Sequence, residues 1–267
     1  MKRTALMAAG LGLALALTAC SDDSGDSAAN ASSTTPAATT SSAAEEPAID
    51  KSQFGSLPPV PEPAAATVSC NYATGGAPPA REVTPPPAAD VAAQGAVNID
   101  LATSVGPIGL ELSRDKAPCT VNSFVSLTEQ GYYDDSPCHR LVTGQGLQVL
   151  QCGDPTGTGT GGPGYQYDTE YPETAYAAGD PQLRQPVIYP RGTIAMANTG
   201  QPGSNGGQFF LVYADSFLPP TYTVFGTIDE AGLETIEKVA AEGDDGSMAA
   251  GGGKPNMDVQ IETVTVA

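Results

Sequence analysis

Residues 137–154 constrain this chain more than any other stretch. Two short apolar runs, one within Pro137–Val142 and one within Leu147–Asp154, flank a glycine-rich turn over 143–146, the pattern of a β-hairpin. Each run carries a polar intruder, Arg140 in the first and Gln151 in the second. A guanidinium inside an apolar strand is costly unless it is paired or faces a wet cleft. Two long donors directed into one groove suit a ligand rich in carbonyl oxygens.

The flanking sequence extends the β pattern. Val97, Ile99 and Leu101 alternate with polar or small residues, and Ile108, Leu110 and Leu112 repeat the alternation after Gly106-Pro107. Pro118 stands where a first helical residue belongs, Val121, Phe124 and Val125 follow at helical spacing, and Gly131 supplies the stop. Three nearly continuous apolar runs, 192–197, 208–213 and 223–228, read as further strands. Leu233, Ile236, Val239 and Ala240 mark a second helix ending at Gly243. Val259, Ile261, Val264 and Val266 slip by one position, which predicts a bulge near Glu262 or Thr263. Many short strands with two helices imply a mainly β fold, a closed barrel or sandwich whose ends the helices cover. The glycine run 153–164 invites a phosphate-loop reading, but no Lys-Ser/Thr follows and no helix opens, so a long loop on a β scaffold is expected.

The chain divides into a leader (1–19), a tether (20–66), an extended Pro-rich arm (67–94) and a folded domain (95–267). Lys2 and Arg3 precede an apolar run too short to span a bilayer comfortably. The run ends in Leu17-Thr18-Ala19-Cys20, which looks like a bacterial lipobox, with Cys20 as the lipidation site and two acyl chains giving stable anchoring. The alternative is an ordinary secretory signal with a chance cysteine. The tether is rich in Ser, Thr, Ala and Pro and is expected to be disordered. The reading implies an extracytoplasmic, lipid-anchored protein. A net charge of -19 argues against nucleic acid and bare anionic lipid as partners. Cys70, Cys119, Cys138 and Cys152 form an even set without C-x-x-C spacing, and with a single histidine no metal site is expected. In an exported protein they are disulfide candidates, with three possible connectivities, the alternative being buried thiols.

Four blocks of sequence resemble the cyclophilin family of peptidyl-prolyl isomerases. They are 117–124, Cys138-His139-Arg140 with Gln151–Asp154, Ala195–Asn198 with Ser204–Phe210, and Phe217-Leu218 with Tyr222–Gly226. They occur in family order across roughly Val97 to Ala267. The lipoprotein leader and glycine loop are similar to those of exported actinobacterial members. The resemblance implies a closed eight-stranded antiparallel barrel capped by two α-helices. It implies catalytic roles for Arg140, Gln151, Asn198 and Gln208, and a substrate-binding surface of Val149, Ala197, Phe210, Phe217, Leu218 and Tyr222. No cofactor is needed, because rotation about X-Pro breaks no bond.

The implied function is isomerisation of X-Pro bonds in proline-containing polypeptides by a membrane-tethered monomer that assists folding of exported proteins. The alternatives are a Pro-peptide-binding module or an envelope interaction lipoprotein with little catalysis. Departures from the family pattern bear on substrate preference. Gln148 stands where the family usually has a pocket Phe, Phe217 where many eukaryotic members have Trp, and Tyr222 where they have His. Cys138 replaces the usual aromatic. Leu147 shares strand parity with Val149 and Gln151 and is the rival for the pocket wall. His139 is expected to be a structural core histidine, and Phe209 to point into the barrel.

Overall fold

The computed structural model describes residues 49–267. The leader, Cys20 and the tether before residue 49 lie outside the described residues.

Sixteen short strands and two α-helices make up the described chain. In order they are β1 (Gly55–Ser56), β2 (Thr67–Val68), β3 (Ala73–Thr74), β4 (Val91–Ala92), β5 (Ala96–Thr103), β6 (Gly106–Ser113) and α1 (Pro118–Glu129). Then come β7 (Ser136–Pro137), β8 (Arg140–Val142), β9 (Val149–Cys152), β10 (Tyr165–Gln166), β11 (Val187–Tyr189), β12 (Thr193–Met196) and β13 (Phe209–Val212). β14 (Ser216–Leu218), β15 (Val224–Ile228), α2 (Glu230–Ala241) and β16 (Gln260–Val266) complete the fold.

The main sheet has nine strands in the order β7-β16-β5-β6-β15-β12-β13-β9-β8. The expected closed eight-stranded barrel is therefore corrected to a nine-stranded half-barrel. The ladder does not close because β7 and β8 are its two edges, separated in sequence only by Cys138 and His139. Each pairs outward, β7 with β16 and β8 with β9. The slip in the last strand is real: the β16–β5 register shifts between Ile261 and Thr263.

The first helix starts where the sequence places it, and the second buries the expected Leu233, Ile236 and Val239. Pro118 opens α1, and Ala117 offers no side-chain cap. The carboxylate of Glu170 caps it instead, accepting from the Cys119 and Thr120 amides at 3.0 and 2.7 Å and from the Thr120 hydroxyl at 2.7 Å. Burial raises the Glu170 pKa, and these hydrogen bonds oppose the rise. In α2, Asp229 accepts from the Gly232 amide at 2.7 Å. α2 packs on β6, and α1 on β16 and β4.

Strand alternation splits the buried residues into two clusters. Phe209, Leu211, Leu150, Ile194 and Met196 join the main core with Phe124 of α1 and Ile236 of α2. Phe210, Val212, Val149 and Ala195, one step along the same strands, join a second cluster with Tyr171, Val187 and Tyr189. Burial on both faces is why 192–197 and 208–213 read as continuous apolar runs. The second cluster underlies the candidate site.

The expected tether is shorter than its sequence range. Asp50 caps a 3-10 turn over 51–53, β1 pairs in parallel with β11, and Lys51 pairs with Asp215 at 2.6 Å. The physical cause is the few large apolar residues of this stretch. Phe54 stacks on Phe217 with ring centroids 4.1 Å apart, and Leu57 packs against the second cluster. Residues 67–94 fold back on themselves through β2–β4 pairing and join the domain through β3–β10 pairing. Among the described residues no helix is long and apolar enough to cross a membrane.

Candidate active site

Register brings the site residues into one row across four strands. Arg140 of β8 pairs with Gln151 of β9, Gln151 with Phe210 of β13, and Phe210 with Ala195 of β12. The next same-face positions follow beyond the strand ends, where the Ala197 amide donates to the Gln208 carbonyl at 2.9 Å. Polar and apolar side chains on one face thus meet along a single groove.

Hydrogen bonds join the polar members into a chain. Arg140 Nη1 donates to Gln151 Oε1 at 3.3 Å, and Gln151 Nε2 to Gln208 Oε1 at 3.0 Å. Gln208 Nε2 donates to the carbonyls of Gly159 and Gly161 at 3.0 and 2.9 Å. That glycine loop is wound around Asp154, whose carboxylate accepts from the Thr156, Gly159 and Gly161 amides at 2.8, 2.8 and 3.0 Å. Burial raises the Asp154 pKa, but the hydrogen bonds from Thr156, Gly161 and Gly159 outweigh it and hold the group below its ordinary value. The loop's amides are therefore engaged by an internal carboxylate rather than by an external anion. A Cβ at Gly161 would collide with Asp154, so this winding requires glycine there.

Arg140 is held from its other side by a loop that sequence reasoning missed. Nε donates to the Gly251 carbonyl at 3.1 Å, and Nη2 to the Ala250 and Gly251 carbonyls, both at 3.0 Å. Paired backbone bonds between Leu141 and Gly253 fix that loop beside β8. Partial burial lowers the Arg140 pKa, with Tyr222 and Asp244 working against the shift. The only sequence signal for this loop was the run Gly251-Gly252-Gly253, where Gly252 takes φ 69° and a Cβ would strike the Leu141 carbonyl.

The apolar part of the groove lies next to the guanidinium. Leu147, Ala197, Leu218 and Tyr222 pack on the cluster containing Val149 and Phe210. The Phe210 and Tyr222 rings meet edge to face with centroids 5.8 Å apart. Gln148 is not part of this surface. Its amide donates to Ser216 Oγ at 2.9 Å, and its side chain lies towards the Tyr213 hydroxyl of the main core, which donates to the Val142 carbonyl at 2.8 Å. Strand parity decides the matter: 147, 149 and 151 share the groove face, and 148 points away.

Residues 98–266 match the family described as "Cyclophilin type peptidyl-prolyl cis-trans isomerase/CLD". The chain belongs to this family. It is 52% identical over 200 residues to "Probable peptidyl-prolyl cis-trans isomerase B" of Mycobacterium leprae, a match covering 74% of this chain and 66% of that relative. The protein of the same name in Mycobacterium tuberculosis strain H37Rv is 56% identical over 170 residues, covering 63% of this chain and 54% of the relative. The chain thus spans between half and two thirds of the length of these curated relatives. Among solved structures, a cyclophilin-type isomerase of Cryptosporidium parvum aligns with TM-score 0.52 and 30% identity, covering 65% of this chain and 98% of that one.

Within this cyclophilin the remaining expected residues fall as follows. Asn198 does not join the Arg140–Gln151–Gln208 chain: its Nδ2 donates to the Thr221 carbonyl at 2.9 Å and its Oδ1 accepts from the Gly200 amide at 2.9 Å. It lines a cavity with Gln151 and Gln208. Phe217 sits at the groove's edge under Phe54, its amide donating to the Gly146 carbonyl at 2.8 Å. His139 is 5% exposed, neither ring nitrogen has a hydrogen-bond partner, and burial lowers its pKa. Of the three possible connectivities the protein uses Cys70–Cys119 and Cys138–Cys152. The second bond ties together the strand ends that carry Arg140 and Gln151.

Proposed function

We propose that this chain is a peptidyl-prolyl cis-trans isomerase. The observation that carries the proposal is a fixed guanidinium beside an apolar seat. Arginine has five N–H groups. Four are engaged by Gly251, Ala250 and Gln151, which leaves one Nη1 N–H for a ligand. Phe210, Val149, Leu147, Leu218 and Tyr222 supply a surface on which a proline ring buries apolar area.

The reaction needs little more. Rotation about X-Pro faces a barrier of roughly 20 kcal/mol from amide resonance. Twisting the bond localises the lone pair on the prolyl nitrogen, which becomes a hydrogen-bond acceptor that neither planar form offers. Arg140 donates to the twisted amide more strongly than to either planar form, which is differential binding of the transition state. Gln151 orients the guanidinium, and Gln208, itself held by the glycine loop, orients Gln151.

A protease-coupled assay on a chromogenic proline tetrapeptide tests the proposal. The folded chain is expected to accelerate cis-trans conversion above the uncatalysed rate, and no acceleration refutes it. Leu147 in the seat removes the vacancy that favoured a non-catalytic Pro-peptide-binding module.

The same reading extends to location. A leader ending in Leu17-Thr18-Ala19-Cys20, together with two disulfides, supports an extracytoplasmic protein anchored through Cys20 and acting on exported, proline-containing polypeptides. Mass spectrometry of the mature N-terminus is expected to find diacylglyceryl on Cys20. A mature chain that retains residues before Cys20, or carries it unmodified, refutes the anchor.

A further inference from the structure

The family match begins at residue 98, yet residues before it complete the groove. A cavity of about 360 Å³ adjoins the apolar seat and shares Ala197 with it. Gln151 and Gln208 line it from the sheet, and Gly76, Ala77 and Pro78 of the arm line it as well. Among the described residues no charged side chain contributes to its surface.

The arm is bound to the domain at every stage around this wall. Cys70 is joined to Cys119 of α1, and β3 pairs with β10. The Tyr72 hydroxyl donates to the Cys119 carbonyl at 2.8 Å, and its ring packs edge-on against Tyr165 and Tyr167. Beyond the wall, the Ala80 amide donates to the Gly162 carbonyl at 2.8 Å, and Arg81 Nη1 donates to the Gly131 and Asp134 carbonyls, both at 2.6 Å. Residues 76–78 are thus suspended between two fixed points.

We propose that this disulfide-pinned arm is a specificity element of the enzyme, admitting an uncharged side chain of a residue flanking the X-Pro bond and excluding charged ones. The inference rests on the isomerase reading above. Its physical basis is the composition and fixity of the wall. Lysine or glutamate seated in the cavity finds no ion-pair partner among its lining residues, whereas leucine gains apolar contact with Ala77 and Pro78. A wall tethered at both ends keeps that lining in place.

The test is a set of proline peptides carrying Gly, Leu, Lys or Glu at each residue before the X-Pro bond, one position at a time. Full-length protein is expected to prefer leucine over lysine and glutamate by about tenfold in kcat/KM at one of these positions, the scale on which apolar pockets discriminate. Ala77 is exposed, so Ala77→Trp is compatible with the fold and fills the cavity. It is expected to lower the leucine-to-glycine ratio of kcat/KM at that position by about fivefold or more. The double variant Cys70→Ser/Cys119→Ser removes one of the wall's anchors and is expected to raise relative turnover of the lysine and glutamate peptides. Unchanged selectivity in folded Ala77→Trp overturns the inference, as does unchanged selectivity in the double cysteine variant should Ala77→Trp not fold. Absence of turnover on the glycine peptide by the natural chain overturns the isomerase reading instead, so the two failures are distinguishable.

Discussion

Replacing Arg140 by lysine separates charge from geometry. The natural guanidinium spans three acceptors at once, the carbonyls of Ala250 and Gly251 on one edge and the Gln151 amide oxygen on the other. A lysine ammonium carries its three N–H groups on one atom and cannot bridge both edges. It keeps the positive charge but loses the fixed direction of the N–H that meets the substrate. Loss of one preorganised donor costs about 10²–10³ in turnover, or about 3–4 kcal/mol. Arg140→Ala is expected to show this loss in full, and Arg140→Lys to stay within about tenfold of it, a difference of about 1.4 kcal/mol. Both variants leave the Ala250 and Gly251 carbonyls short of donors, so a stability loss of about 1–3 kcal/mol accompanies the change. The protease-coupled assay gives kcat and KM, and thermal unfolding confirms that each variant is folded at the assay temperature. The loss belongs in kcat, because the interaction strengthens as the amide twists. Arg140→Lys retaining more than a tenth of natural turnover refutes the geometric argument, and a folded Arg140→Ala with near-full activity refutes the site assignment.

Three further perturbations probe neighbouring features. Leu147→Ala is expected to lower kcat/KM about five- to tenfold, because the seat then buries less of the proline ring, a deficit of about 1–1.4 kcal/mol, whereas Gln148→Phe brings no gain, because position 148 lies off the groove face; a gain from Gln148→Phe sinks the register described here. His139 has a folded pKa below its ordinary 6.5, so the unfolded chain binds the extra proton first and stability falls as pH drops below about 6.5; urea titrations at pH 7.5 and 5.5 are expected to show a smaller decline for His139→Gln, and equal declines reject buried neutral histidine as a source. Alkylation of native, non-reduced protein followed by intact-mass measurement is expected to find no free thiol among Cys70, Cys119, Cys138 and Cys152, and two or more modified sites rule the pairing out.

Much of this site was legible in sequence because strand alternation is a strong signal. Arg140, Gln151, Phe210 and Ala195 fall on one face once β8, β9, β13 and β12 are placed, and Leu147 rather than Gln148 follows by the same parity. The family resemblance alone pointed to Gln148, and strand parity overrides it. Barrel closure was not legible. It depends on whether Cys138-His139 continues a ladder or interrupts it, and nothing in those two residue types decides that. The tether's end was hidden for a different reason. Its composition is that of a disordered chain, and the apolar Phe54 and Leu57, spaced three apart, find the domain's surface.

The least legible feature is also the most informative about the chemistry. Arg140 is positioned by backbone carbonyls and a side-chain amide, and since every residue type supplies a backbone carbonyl, no side-chain pattern announces them. A carboxylate would have been easy to read, and the chain has 30 acidic residues to offer one. Among the described residues, however, the ion pairs involve Lys51, Arg191 and Lys254, and none involves Arg140. Physical reasoning favours this choice. A carboxylate bound to the guanidinium cancels much of its field at the substrate, and burying such a pair requires desolvating a second charge. Neutral carbonyls satisfy the same N–H groups, fix the same orientation and leave the full positive charge directed at the amide. Asp244 is kept at one remove, accepting from the Thr143 hydroxyl at 2.9 Å, where it opposes the lowering of the Arg140 pKa without capping the guanidinium. An arginine held by dipoles rather than by a counter-charge is a suitable partner for a transition state whose nitrogen lone pair is exposed only while the bond is turning.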